Sequence, residues 1–434
     1  MNMQEDGRLP VLFPIRFELK GYKCFKDEEI LKISNSHGKP TRWTFIIGNN
    51  GTGKTTLLEQ IELLLPKENA LNFSDSDSAA IPAPDWSKKE IVPNFFSTRK
   101  SIMSAEILQL AFAKGVSIET VSEKSFGWEI LKEDSQRYSV EVLSSSGDLR
   151  AEKINPNVYF SYWATRKIGT RVEISVDHDT PTHLRELVNA EEWLAQLDYA
   201  ILREIPGIIR QWKTITDALV EILPDVRGFR PATTKDFKHY IEVETDYGWV
   251  SLRQLSYGYQ TMLAWVVDLA KRMIEAYPDS DTPLEESAVV LVDEIDLHLH
   301  PSWQRRIVGD LSRIFPNVQF IATSHSPLVV QSAERCNIAV LHKDGDRIHI
   351  QNIPNQSYQG WSVEEILRDL MEMDSTHSEA FTKALKDFEL AIGADDYAAA
   401  QAAYQTLDQI LHPESVHRKL MRMQMSGLER PAQV

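Results

Sequence analysis

The sequence predicts an α/β fold: a mixed sheet with a phosphate-binding loop at its edge, a helical second lobe and a C-terminal helical extension. Three observations carry this prediction. Gly48-Asn49-Asn50-Gly51-Thr52-Gly53-Lys54-Thr55-Thr56 fits the G-x-x-x-x-G-K-[ST] pattern and stands between an apolar run, Trp43 to Ile47, and a helical run, Leu57 to Leu65. A β-branched run, Val289 to Val292, ends in Asp293-Glu294, as a buried parallel strand does when it delivers polar residues to its carboxyl edge. Between Thr182 and Leu223 the period becomes helical, with Trp193, Leu197 and Ile201 on one face.

Taken in order, residues 11 to 35 read as paired strands leading into the phosphate loop. Asn72 to Ser87 is rich in Ser, Asp, Ala and Pro and reads as a mobile loop. Ala105 to Phe112, Ser125 to Lys132 and Tyr138 to Leu143 read as antiparallel strands, and Val158 to Trp163 as a buried strand leaving the first lobe. In the second lobe a hairpin, Ile241 to Thr245 with Trp249 to Leu252, precedes Leu255-Ser256-Tyr257-Gly258-Tyr259-Gln260 and an apolar helix, Met262 to Met273. This lobe is short and lacks the sustained heptads of coiled-coil arms. Phe320 to Ala322 is a further short strand, followed by Thr323-Ser324-His325. Asp344-Gly345 between apolar runs signals a hairpin. Beyond Trp361 the chain is helical. Phe381, Leu385, Phe388 and Ile392 share one face, and Tyr397, Ala400, Tyr404, Leu407 and Leu411 another. These faces fit either a small cap closing on its own core or a docking surface for a partner.

Each polar cluster has a chemical reading. Glycines at 48, 51 and 53 let the backbone turn its N–H groups toward phosphate oxygens, and the following helix N-terminus adds partial positive charge. Lys54 would reach the β and γ phosphates, and the Thr55 hydroxyl would bind Mg²⁺. Asp293 would hold the same ion through water, and Glu294 would polarise an attacking water. His325, at a strand end, would hydrogen-bond a γ-phosphate. Ser256 and Gly258 open a helix and make a second phosphate site. Taken alone, Asp293-Glu294 reads as an acidic turn, His325 as a structural residue and Ser256 as a helix cap. Two phosphate sites in one chain imply two chains, head to tail, each covering the other's nucleotide.

In this order the four motifs resemble Walker A, the LSxGxQ signature, Walker B and the switch histidine of the ABC-type ATPases, from about Phe17 to Val330. More narrowly, the chain resembles the SMC/RecF-like branch, whose opening hairpin is similar to Ile15 to Phe25. Asp293 to Gln304, Phe315 to Phe320 and Thr323 to Pro327 resemble the subgroup of OLD nucleases and of the ATPase subunits of Septu, PARIS and retron-linked anti-phage systems. The resemblance implies ATP and Mg²⁺ as cofactors. It implies a nucleotide site of residues 48 to 56 with Ser256, Gly258, Gln260 and Asp296, the last as a D-loop acid at the dimer seam. It implies metal ligation by Thr55 and Asp293, and catalysis by Glu294 and His325. The expected divisions are 11–165 for lobe I, 166–275 for helical lobe II, 286–353 for the remaining ATPase core and 361–434 for the helical domain. His298 and His300 alternate near carboxylates, as a metal site would, but the resemblance makes them part of the ATPase core. The chain departs from the family at Tyr162-Trp163-Ala164-Thr165-Arg166, where relatives place Tyr-Gly-x-x-Arg. No Gln there supplies a Q-loop ligand, and Gln109 is a weak substitute.

The implied function is an ATP-hydrolysing, homodimeric switch that controls a separate effector, such as a nuclease or toxin, in anti-phage defence. The alternative is a RecF-like repair ATPase that binds DNA in the dimer cleft. A net charge of −16 opposes a broad nucleic-acid surface, while Arg166-Lys167 with Arg171, and Arg305-Arg306, read as a solvated face or as parts of a local basic groove. A self-contained nuclease would need an Asp-x-Asp metal pair at a strand end, and Asp344-Gly345-Asp346 reads as a turn. Two cysteines, Cys24 and Cys336, make no disulfide framework. With no long apolar run and no signal-peptide core, the expected location is the cytoplasm, away from membranes.

Overall fold

The computed structural model describes residues 11–65, 126–131, 137–144, 158–166, 168, 187–236, 239–373 and 375–428. The expectations for Met1 to Pro10, Asn72 to Ser87, Ala105 to Phe112 with Gln109, Lys167 and Arg171 lie outside them. The chain divides into two compact units, Met1–Ile366 and Leu367–Val434. In order, the elements are β1 (Leu12–Lys20), β2 (Glu29–Lys32), β3 (Trp43–Gly48), α1 (Lys54–Leu64), β4 (Phe126–Leu131), β5 (Arg137–Ser144) and β6 (Tyr159–Tyr162). Then come α2 (Ala190–Leu202), α3 (Ile208–Ile222), β7 (Gly228–Thr233), β8 (His239–Thr245), β9 (Gly248–Ser251) and α4 (Tyr257–Ala276). β10 (Ala288–Val292), α5 (Pro301–Gln304), α6 (Ile307–Ile314), β11 (Val318–Thr323), α7 (Pro327–Ser332), β12 (Cys336–Asp344) and β13 (Arg347–Gln356) follow. The described chain ends with α8 (Val363–Asp369), α9 (Glu379–Gly393), α10 (Tyr397–Ile410) and α11 (Val416–Leu428).

The central sheet has the order β13-β12-β3-β11-β10-β6. All neighbours are parallel except β13, which turns back on β12. β3, β10 and β11 are apolar along almost their whole length and buried on both faces, as strands of a covered parallel sheet must be. Their registers align at one end: Val292 lies beside Ala322 and Tyr162, Thr323 beside Ile46, and Gly48 beside Leu341. The carboxyl ends of β3, β6, β10 and β11 therefore open on one edge. A second sheet, β2-β1-β5-β4, is antiparallel. Phe17, Leu19, Leu31 and Ile33 from it share one buried cluster with Leu57, Leu58 and Ile61 of α1 and Ile46, Leu291 and Ile321 of the central sheet.

In the second lobe the Asn189 side chain caps α2, which buries Trp193, Leu194 and Leu197. Beside the expected hairpin β8–β9 stands an edge strand that the sequence reading lacked, β7. Its Pro231 and its lack of any buried residue hide it from pattern reading. α4 is buried on nearly every side from Thr261 to Lys271, and its fully buried Asp268 ties three elements together. The Asp268 carboxylate accepts from the Tyr162 hydroxyl at the end of β6 (2.9 Å), from the Val188 N–H before α2 (3.0 Å) and from Arg272 Nε (2.6 Å). Burial and the adjacent carboxylate push the Tyr162 phenol well above its ordinary range. Burial alone would lower the Arg272 pKa, but Asp268 holds it raised.

In the second unit Ser378 caps α9 and Asp396 caps α10. Phe381, Ala384, Phe388 and Ala391 form one core with Ala400, Leu407, Met421 and Met425. Of the two readings of these faces, Phe381 and Phe388 take the core one, while Tyr397 stays exposed. Tyr404 packs at its margin, its hydroxyl bonded to Asp408 and Arg422. Among the described residues no helix is long and apolar enough to cross a membrane.

Replacing Asp268 with Ala strands the mostly buried Arg272 charge and the Val188 N–H. The expected loss is about 3–5 kcal/mol, read as a lower urea midpoint, and Asp268→Asn should lose less.

Candidate functional site

The phosphate loop leaves β3 and enters α1 at Gly53, which has φ 84°. A side chain there would meet Cys24 Sγ at 2.8 Å and the Phe25 ring at 3.2 Å. Glycine is thus required twice, by the left-handed backbone and by the close approach of the β1–β2 turn. Asn49, Asn50 and Gly51 are exposed at the tip, and Thr52 is buried with its hydroxyl donating to the Asn49 carbonyl at 2.8 Å. Lys54 Nζ donates to the carbonyls of Gly48 and Asn49, each at 2.9 Å. Burial lowers the pKa of this ammonium, while Asp293, Glu294 and Asp296 oppose the shift. Thr55 is exposed and Thr56 half-buried on the first turn of α1.

Asp293 follows β10 and is buried. One oxygen accepts from the Thr55 hydroxyl at 3.0 Å, the other from the Thr323 hydroxyl at 2.7 Å. Thr323 Oγ1 in turn accepts from the Glu294 N–H at 2.7 Å. A single hydroxyl at the end of β11 therefore orients both acidic residues, a role the sequence reading did not give it. Its position beside β10 is visible only once the two strands are paired. Glu294 has φ 49°, a conformation that costs a non-glycine residue about 1–2 kcal/mol. Arg166 spans the next two carbonyls, Nη1 to Asp293 O at 2.8 Å and Nη2 to Glu294 O at 3.0 Å. Arg166 thus belongs to this site, which corrects its reading as part of a solvated basic face.

Asp296 fastens the histidine loop. Its Oδ1 accepts from the Ser324 hydroxyl at 2.6 Å and the His325 N–H at 3.3 Å. Partial burial and nearby Lys54 lower the pKa of the His325 imidazole, while Asp296, Glu294 and Asp293 oppose the shift. Ser326 Oγ donates to Gln304 Oε1 at 2.7 Å, and Gln304 Nε2 donates to Leu299 O at 3.0 Å. The segments after β10 and β11 are one stitched surface.

Ser256 is exposed ahead of α4 and makes no side-chain capping bond there. Gln260 turns back, its Nε2 donating to the Arg253 and Leu255 carbonyls at 3.0 and 2.8 Å. A Cβ on Gly258 would lie 2.7 Å from the His298 carbonyl oxygen. Tyr257 meets the His298 ring edge-on, and Tyr259 meets Trp303. The segment from His298 to Trp303 is thus the seat of the Ser256–Gln260 turn. His300 bonds its own helix start, to Ser302 Oγ at 2.8 Å. Among the described residues no cluster of three His, Cys, Asp or Glu could hold a metal.

A glycine-rich loop, a buried lysine, a Thr–Asp pair and a neighbouring carboxylate converge on one sheet edge. Two family models match: "AAA ATPase domain" over residues 15–142, and "AAA domain, putative AbiEii toxin, Type IV TA system" over residues 128–331. With this geometry, the two matches support an α/β P-loop ATPase fold for the chain. It is 34% identical over 208 residues to "Septu protein PtuA" of Bacillus thuringiensis, covering 47% of this chain and 52% of that one. It is 34% identical over 190 residues to "Retron Ec83 probable ATPase" of Escherichia coli, covering 44% and 34%. The chain therefore spans about half, or less, of these relatives. Among solved structures, an SMC head bound to the C-winged helix domain of ScpA has a TM-score of 0.42 and 13% identity, over 79% of this chain and 98% of that one; the likeness is too slight to bear on function.

Two substitutions probe how this edge is built. Thr323→Val leaves the Glu294 N–H and one Asp293 oxygen without partners and should cost about 1–3 kcal/mol. Gly258→Ala forces the turn off the His298 carbonyl and should cost about as much. Urea denaturation checks both, and an unchanged midpoint in either refutes the geometry behind it.

Proposed function

We propose that this ATPase binds MgATP at residues 48 to 56 and hydrolyses it between two head-to-tail copies of itself. The observation that carries the reading is the Thr55–Asp293–Thr323–Glu294 chain of hydrogen bonds beside the phosphate loop. The Thr55 hydroxyl and Asp293 carboxylate, 3.0 Å apart, are hard oxygen ligands fit for Mg²⁺. When bound, that ion would neutralise phosphate charge. Lys54 binds the β and γ phosphates. Glu294 orients and deprotonates the attacking water, and His325 hydrogen-bonds the γ-phosphate.

Ser256 and Gly258 cover the nucleotide of the partner copy. The exposed Ser256 hydroxyl, at the N-terminus of a 20-residue helix and outside its capping bonds, supports this. Asp296, holding the His325 loop, sits at the seam. The closed and open states are read by a separate effector, a nuclease or toxin, in defence against phage. Similarity to the Septu and retron proteins supports that role. The charge of −16 and the pairing of Arg306 with Asp310 and Arg313 with Glu221 speak against DNA in the dimer cleft.

Glu294→Gln should retain ATP binding and slow turnover by roughly 10²-fold or more, whereas Lys54→Ala should weaken binding itself. Equal turnover in wild type and Glu294→Gln removes Glu294 from its role. Ser256→Arg should bind ATP without hydrolysing it, and regain partial activity when mixed with Lys54→Ala, since one composite site is then intact. A Ser256→Arg protein that hydrolyses ATP normally as a monomer refutes the head-to-tail arrangement.

A further inference from the structure

We infer that Arg166 is a positioning residue for hydrolysis: it holds the Asp293–Glu294 turn in the left-handed conformation that aims the Glu294 carboxylate. The inference rests on the proposed role of Glu294 and adds the group that sets its geometry. Glu294 sits at φ 49°, and a non-glycine residue stays there only when its surroundings hold it. Two groups do so. Thr323 takes the Glu294 N–H, and Arg166 takes the Asp293 and Glu294 carbonyls with two arms of one planar fork. An ammonium offers no such fork.

Arg166 is itself held. Its backbone N–H and Nη1 both donate to the Trp163 carbonyl, at 2.9 and 3.2 Å. Four residues before Arg166, the Tyr162 carbonyl accepts from the Asp293 N–H at 2.7 Å, so the exit of β6 grips the catalytic turn from both sides. The Tyr162 hydroxyl is fixed to Asp268 on α4, the helix that begins at the turn proposed to meet the partner's nucleotide. Burial lowers the Arg166 pKa, but the Asp293, Glu294 and Asp296 carboxylates oppose the shift. The segment from Tyr162 to Arg166, where no glutamine stands, therefore sets the catalytic turn through the Tyr162 carbonyl and the Arg166 side chain.

The test measures kcat, KM and the ATP dissociation constant of the full chain for wild type, Arg166→Gln, Arg166→Lys, Glu294→Gln and the Arg166→Gln/Glu294→Gln double variant. Arg166→Gln should lower kcat about 10²-fold, as expected for a base displaced by about 1 Å, with ATP affinity within about threefold of wild type. Arg166→Lys should recover less than about a tenth of the wild-type rate, because one ammonium does not span both carbonyls. The double variant should be no slower than Glu294→Gln alone, since Arg166 acts through Glu294. Wild-type kcat in either Arg166 variant, a further loss in the double variant, or a loss of affinity like that of Lys54→Ala overturns the proposal. If Arg166→Gln fails to fold, Arg166→Lys decides alone. A Glu294→Gln protein with wild-type turnover overturns the reading of Glu294, and this proposal with it. A slow Glu294→Gln beside a fast Arg166→Gln overturns this proposal only.

Discussion

The buried carboxylate of Asp293 constrains everything at the sheet edge. A charge removed from water needs strong partners, because leaving it unpaired costs several kcal/mol. Here the partners are two hydroxyls from different elements, Thr55 on α1 and Thr323 at the end of β11. Meeting that need joins the phosphate loop, the strand carrying the acidic pair and the strand leading to His325. The parallel order β3-β11-β10 brings all three to the same edge.

A second buried acid does similar work between the lobes. Asp268 is fully buried on a largely apolar helix, and it joins β6, the start of α2 and α4. A buried ionic group of this kind is weak evidence for stability and better evidence for fixed placement. Its partner Tyr162 lies four residues before Arg166, and the Tyr162 carbonyl meets Asp293 directly. Placement of α4 and placement of the acidic turn are thus set by one short stretch of backbone.

Motif spacing made the glycine-rich loop and its flanking elements legible. Residues 48 to 56 announced a strand, a loop and a helix start, and the structure has β3, the loop and α1 there. The hairpins at β8–β9 and β12–β13 followed from alternation and turn chemistry. Less legible were side chains whose work depends on a distant partner. Arg166 looked like part of a basic face because its neighbour in sequence is a lysine, while its neighbours in space are the carbonyls of residues 293 and 294. Aromatic spacing in the tail was equally compatible with a surface and with a core, and only the packing of α9 and α10 with α11 put Phe381 and Phe388 inside.

By itself the sequence determined the local chemistry: which loop turns on glycines, which strands run apolar and end in carboxylates, and where helices start. These properties follow from backbone sterics and hydrophobic period, which act over a few residues. Only the tertiary structure decided which hydroxyl holds Asp293, which cation braces Glu294, and that the segment from His298 to Trp303 seats the Ser256–Gln260 turn. Those contacts join residues from about 30 to more than 200 positions apart. They depend on strand order and register, which arise when the whole sheet is assembled and are not encoded in any one segment.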